Sequence, residues 1–376
     1  MDDTTELDFW WPAKGHWIPG PVGNGSGQGF LVHNALMVDA STLEILGVAG
    51  QAIHYRKTKT KKPRPNSSKR LAAKGRESEL WGTVIDQIGS PPEQATYIHV
   101  CDRGADNFEV YCHLLQHHCD WVIRASKMSR TVLVGDSQEP QVLSDYLEQL
   151  SLYGEYQLNL RTRPGQESRS AKLSVRVGKV QVKRPRHVSP WVRELNQAPI
   201  AMNVIEVAEV DPPQGVTGIH WVLYTSLPVR SFNEAWTVIE HYEQRWLVEE
   251  YHKALKSGCR AESVQLKTAD RLEAFVGLIS VVAVRLLQMK SEARKFPEQP
   301  AKKTVPAVVL KMLKVARKKP LDTDKMTMGQ FYREIAKLGG FLGRTGDGEP
   351  GWITIWRGWE KLVAFIHAAE RLENTA

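Results

Sequence analysis

The sequence predicts an α/β protein with a run of antiparallel strands set into it and helices at its end. Three observations carry this. Residues 95–126 read strand, acid, helix, strand: "ATYIHVCD" is a short apolar run closed by Asp102, "ADNFEVYCHLLQHH" is helical in pattern, and "DWVIRAS" is apolar again. Between 128 and 220 the stretches "YQLNLRTRPG", "SAKLSVRVGKVQVKRPRHV" and "IAMNVIEVAEV" alternate polar and apolar with period two. Beyond residue 232 the pattern is mainly helical.

Taken in order, residues 29–55 predict a hairpin, two apolar runs flanking the turn signal "DAST". Residues 56–76 follow, "RKTKTKKPRPNSSKRLAAKGR", with ten basic residues and no acid. Their length and single sign favour a phosphate-gripping segment, Lys61, Lys62 and Arg64 within it, over a solubilising loop. Asp102 stands at the carboxyl end of a strand, where functional side chains collect in α/β sheets, although a turn or helix N-cap role suits it as well. The β module carries Arg161, Arg163, Arg169, Lys172, Lys183, Arg184 and Arg186. "HWVLYTSLPV" (220–229) then predicts a buried strand. Helices are expected over 232–257, 267–294, 305–318, 327–338 and 353–372, with "FPEQPAKKTVP" as a linker and the Gly-rich "GRTGDGEPG" before the last helix.

Composition narrows the function. With 376 residues the chain can form two or three domains, and 42% hydrophobic and 24% charged residues are ordinary for a globular protein. A net charge of +8 and a pI of 9.2 favour a polyanionic partner. The longest apolar run, "FVGLISVVAV", is too short to cross a bilayer and is followed by Arg285. The opening "MDDTTELD" is acidic rather than basic, so a cytoplasmic protein is expected. Four cysteines without a CxxC pair argue against a disulfide scaffold or zinc ribbon. His113 and His117, four apart in "CHLLQHHC", lack the fixed ligand set that a closed zinc site needs.

"HYEQRWLVEEYHKALKSG" (241–258) carries Tyr242, Arg245, Glu249 and Lys256 at steps of three, four and seven. At roughly 100° per residue these fall within a stripe about 60° wide, with Leu247, Val248, Tyr251, Ala254 and Leu255 opposite. An amphipathic surface helix explains that pattern. So does a carboxylate flanked by an arginine, a lysine and a phenol that together hold a metal and phosphates.

The spacing Tyr-x2-Arg-x3-Glu-x6-Lys resembles the Y-R-E-K signature of the insertion-sequence-four type of bacterial DDE transposases, the group that contains the transposon-five transposase. "CDRGADN" is similar to the segment that carries that family's second catalytic aspartate, here Asp102. "DDTT" resembles the first acid's segment, with Asp3 before the Thr-Thr pair, and Asp2 is its only rival. "WVIRAS" resembles a strand whose arginine, here Arg124, contacts DNA phosphate. "GFLGRTGDGEPGWITIWRGWE" resembles the closing region. The pieces occur in order over nearly the whole chain.

The resemblance implies a ribonuclease H-like mixed sheet with an antiparallel β insertion and a C-terminal helical region. It divides the chain into a core over 1–127 and 221–295, an insertion over 128–220 and a helical domain over 296–376. It implies Asp3, Asp102 and Glu249 as catalytic residues and metal ligands for two Mg²⁺ or Mn²⁺ ions, and Arg124, Tyr242, Arg245 and Lys256 as DNA-binding residues. Trp221, at the start of the strand leaving the insertion, would stack on a flipped base or be a core tryptophan. Implied partners are transposon-end and target DNA and a second copy of the chain on that DNA, with neither a membrane nor a small-molecule substrate. The implied activity is cut-and-paste transposition. The family also carries a helical DNA-binding domain ahead of the first aspartate, so a truncated enzyme, or an inactive DNA-binding remnant that inhibits a full-length partner, is expected.

Overall fold

The computed structural model describes residues 1–9, 20–57, 75–136, 138–160, 168–195, 197–266, 268–317 and 320–373. Lys61, Lys62, Arg64, Arg161 and Arg163 lie outside the described residues. In chain order the strands are β1 (Asp2–Asp8), β2 (Gly20–Val22), β3 (Gly27–Val38), β4 (Ile45–His54), β5 (Ile98–Cys101) and β6 (Asp120–Arg124). After them come β7 (Thr131–Val134), β8 (Glu139–Val142), β9 (Leu152–Leu160), β10 (Arg169–Val182), β11 (Ile200–Glu209) and β12 (His220–Thr225). The helices are α1 (Leu80–Ile88), α2 (Phe108–Gln116), α3 (Leu143–Gln149), α4 (Pro190–Glu194) and α5 (Phe232–Glu243). They continue with α6 (Trp246–Lys253), α7 (Ala269–Lys295), α8 (Ala307–Arg317), α9 (Met328–Leu338) and α10 (Trp352–Glu373).

The expected hairpin forms because its turn is wired locally. Asp39 Oδ1 accepts from the Ser41 and Thr42 amides at 2.9 and 2.8 Å, which folds the chain back between β3 and β4. Four of the helices start where side chains satisfy their free amides: Asn107 before α2, Ser231 before α5, Thr268 before α7, and a Thr327–Gln330 capping box before α9.

Among the described residues the strands form one sheet, ordered β2-β3-β1-β5-β6-β12-β11-β10-β7-β8, with β4 paired to β3 and β9 to β10. The five strands β4-β3-β1-β5-β6 combine an antiparallel hairpin with a parallel trio: β1 runs parallel to β5, and β5 to β6. This is a ribonuclease H-like mixed sheet. The β module does not stand apart from it. Strand β12 pairs with β6, and β11 and β10 continue outward, so the module widens the same sheet.

Pleating divides the core into layers. Leu31, Ala35 and Ala52 meet Leu80 and Val84 of α1 on one face, while Leu7, Phe30 and Val32 meet Leu272 and Val276 of α7 on the other. Leu223, Ile205 and Val122 likewise pack on Val238, Ile239 and Tyr242 of α5. Leu310, Leu313, Phe331, Ile335 and Leu362 join α8, α9 and α10.

Three expectations are corrected here. The helix over 232–257 is two helices: α5 is capped at Gln244, and α6 begins beyond Arg245 and passes into a π-helical turn, Ala254–Gly258. The stretch taken as a linker is pinned, with Ala301 fully buried and its amide donating to the Met326 carbonyl at 2.8 Å. The apolar run lies in a helix, α7, long and apolar enough by length and composition to cross a membrane, with half of that window buried in the protein.

Candidate active site

The site starts from the pleat of β1. Its register with β3 sets Asp3 beside Asn34, Thr5 beside Val32 and Leu7 beside Phe30, so Asp3 shares the face that α6 and α7 cover. Asp2 points the opposite way. It is 2% exposed and accepts from His99 Nδ1 at 3.1 Å. One step along a strand therefore separates a buried ion-pair residue from a site residue, and Asp3 is the one that faces the signature helix.

Asp102 reaches the same region because Asp2 is the partner of Cys101 in the parallel β1–β5 pairing. The next residues in the chain are Asp3 on β1 and Asp102 just past the end of β5. Asp102 has the N-cap role expected of it, its side chain accepting from the Gly104 amide at 2.8 Å, and its carboxylate is one of the charges that raise the proton affinity of Asp3. Glu249 comes from α6. Arg245, at the break between α5 and α6, ties the two ends together, its Nη1 donating to Asp3 Oδ2 at 3.3 Å and its Nη2 to Glu249 Oε1.

The electrostatics show three acids sharing one neighbourhood. Burial raises the proton affinity of Asp3, and the Asp102 and Glu249 carboxylates raise it further, while Arg245 opposes them; the outcome is a pKa of about 6. Glu249 is 45% exposed, so one side of the site is open to solvent.

The other expected residues are placed as follows. Tyr242 is buried rather than on a solvated stripe, because the break at Gln244 turns α5 away from α6. Its ring meets Trp221 edge-on at 5.8 Å, and the Arg245 guanidinium lies 6.0 Å from its centroid. Trp221 is partly buried against the α5 cluster. Lys256 Nζ donates to the Glu6 carbonyl at 2.8 Å and lies 3.3 Å from Glu262 Oε1. Arg124, on β6, donates to the His220 carbonyl at 3.0 Å. His113 and His117 both contact Asp86 Oδ1, at 2.8 and 2.9 Å.

Sequence reasoning missed a polar layer beneath Asp3. His252 is 6% exposed and Asn34 fully buried, with 3.1 Å between His252 Nε2 and Asn34 Nδ2. Burial pushes the His252 pKa down to about 3, aided by the nearby His33, Lys256 and Arg245, so the imidazole is neutral. A histidine three positions after Glu249, beside the stripe that carries Arg245, Glu249 and Lys256, is the signal that could have found it.

Three carboxylates and no thiolate form a hard oxygen donor set, which fits Mg²⁺ or Mn²⁺ in kind. Among the described residues, however, no three acidic, histidine or cysteine side chains are already closed on one point. Arg245 bridges two of the three.

The sheet is ribonuclease H-like, with Asp3 on β1, Asp102 just after β5 and Glu249 on α6. Residues 68–285 match the transposase DDE domain, more than half of the chain, and residues 281–374 match the transposase Tn5 dimerisation domain. The chain belongs to the DDE transposase family, of the Tn5-like type. Membership implies DNA as the substrate and, through the second match, pairing of two copies.

Proposed function

We propose that the chain catalyses cut-and-paste transposition: divalent-metal-dependent cleavage of DNA phosphodiester bonds at transposon ends, then strand transfer into target DNA by a DNA-bound dimer. The observation that supports it best is the convergence on Asp3. The charges of Asp102 and Glu249 both act on it, and Arg245 bridges it to Glu249, although these residues are far apart in the chain.

In this reading Asp3, Asp102 and Glu249 would hold the metal pair, and Arg245 would exchange its carboxylate partners for a DNA phosphate. Bound there, the ions would supply Lewis-acid chemistry for activating a water or a DNA 3′-hydroxyl and for stabilising the departing oxygen. Arg245 offers a planar, bidentate phosphate contact and stays charged, because the Asp3 and Glu249 carboxylates outweigh its burial. The buried Tyr242 ring supports that guanidinium from beneath. Lys256 adds a point charge. Trp221 stands beside Tyr242 and is only partly buried, and in this reading its ring face is the platform for a flipped base.

Glu249→Gln tests the assignment, because it keeps the shape and removes the charge. Strand cleavage in Mg²⁺ should be abolished while gel-shift affinity for DNA is kept or slightly raised, since a repulsive charge near phosphate is gone. Undiminished cleavage by this variant would remove Glu249 from the metal site.

A further inference from the structure

The buried polar layer under Asp3 forms a chain whose donors and acceptors can be assigned from one end. Ser280 of α7 donates its hydroxyl to the Val276 carbonyl at 2.7 Å, the usual back-bond of a helical serine. A carbonyl only accepts, so the hydroxyl hydrogen is committed there. The Gln51 atom 2.9 Å from Ser280 Oγ must then be a donor, Nε2. The same Nε2 lies 2.7 Å from Asn34, whose facing atom must be the acceptor Oδ1. That leaves Asn34 Nδ2 to donate to His252 Nε2 at 3.1 Å. A nitrogen that accepts carries no proton, so the hydrogen of the neutral imidazole is on Nδ1. Nδ1 is the atom that faces Asp3 Oδ2, at 4.0 Å, just beyond hydrogen-bond length.

We infer that His252 is a positioning residue for Asp3, held in the Nδ1–H tautomer by the Ser280–Gln51–Asn34 chain so that it can donate to Asp3 Oδ2. Asp3 Oδ1 already accepts from the Thr4 amide at 2.9 Å, and Arg245 holds Oδ2 at 3.3 Å. When Arg245 turns to phosphate, His252 supplies the replacement donor and keeps the carboxylate aimed. All four residues of this layer are partly or fully buried, as a rigid support requires. The inference rests on the proposed role of Asp3 as a metal ligand.

Two measurements test it. A long-range ¹H–¹⁵N spectrum of the ¹⁵N-histidine-labelled chain, with His252 assigned by its loss in His252→Asn, reports the tautomer directly. Nδ1–H is expected, and Nε2–H overturns the inference. The second is Mn²⁺ affinity followed by electron paramagnetic resonance in Asp3→Asn, His252→Asn and His252→Gln, each checked for folding by circular dichroism. An asparagine amide superposes on the Nδ1 edge of histidine and keeps the donor to Asp3; glutamine reaches the Nε2 edge and keeps only the contact to Asn34. His252→Asn should bind Mn²⁺ close to wild type, and His252→Gln about tenfold or more weakly, as for other outer partners of metal ligands. Equal losses, or no loss in either, overturn the positioning role. If Asp3→Asn binds Mn²⁺ undiminished, the metal-site assignment itself fails. If Asp3→Asn alone loses binding, only the His252 inference fails.

Discussion

At the residue scale, neighbouring aspartates have opposite fates because the strand alternates. The buried Asp2–His99 pair is a stability element. Burial works against both charges, but each partner's field outweighs it, so Asp2 is held far below the usual carboxylate range and His99 is pushed up to about 9. A raised histidine pKa stabilises the fold fully below the unfolded value of about 6.5, and that contribution is lost as pH rises through about 9. Thermal unfolding should therefore show a decline of up to about 3 kcal/mol between those limits, and His99→Gln should flatten it. Arg245 is the other decisive residue. Arg245→Ala removes the bridge between Asp3 and Glu249 and should cost roughly tenfold or more in DNA affinity, in line with about 1.5–3 kcal/mol for a charge-assisted contact. Lys256→Ala should cost less, and binding titrations at fixed salt would rank the two.

At the element scale, the signature segment is a broken helix. The break at Gln244 lets α5 cover β12 and β11 with Val238, Ile239 and Tyr242, while α6 sends Leu247, Val248 and Tyr251 into the core beneath α7. Arg245 sits at the corner, free to bridge β1 and α6. Another close approach holds the C-terminal helices together. A Cβ at Gly358 of α10 would stand 1.8 Å from the Ile335 carbonyl of α9, and one at Gly339 would stand 1.8 Å from the Thr354 carbonyl. Neither backbone can yield without separating the helices. Gly358→Ala should destabilise by about 1–3 kcal/mol and lower the melting temperature, and a melting curve superimposable on wild type would show that α9 and α10 are free to part.

At the scale of the whole molecule, the net charge of +8 and the family's DNA substrate predict strongly salt-dependent binding. Each phosphate contact removed should lower the slope of log affinity against log salt by roughly 0.9. Neutralising Lys61, Lys62 and Arg64 together should flatten it by up to about three times that amount, and an unchanged slope would exclude the 56–76 segment from the DNA interface. Basic residues position the duplex without reading its sequence, so this loss should be similar on transposon-end and unrelated DNA.

Much of the architecture was legible because its signals are local. Period-two alternation marked β9, β10 and β11, the "DAST" turn closed β3 on β4, and the last three helices fall close to their expected limits. The spacing of Tyr242, Arg245, Glu249 and Lys256 and the acids at 3 and 102 pointed to the family that the matches over 68–285 and 281–374 show. What the sequence could not specify was long-range. Whether Asp2 or Asp3 faces the helix depends on the register of β1 against β3 and β5. The break at Gln244 is favoured by what the two halves bury, not by any proline or glycine at the corner. The β module joins the main sheet only because β12 finds β6, about a hundred residues away in the chain. The layer from Ser280 to His252 draws one residue each from α7, β4, β3 and α6. Periodicity shows which side of an element is apolar; only packing decides which other element that side meets, and therefore which polar groups are buried together.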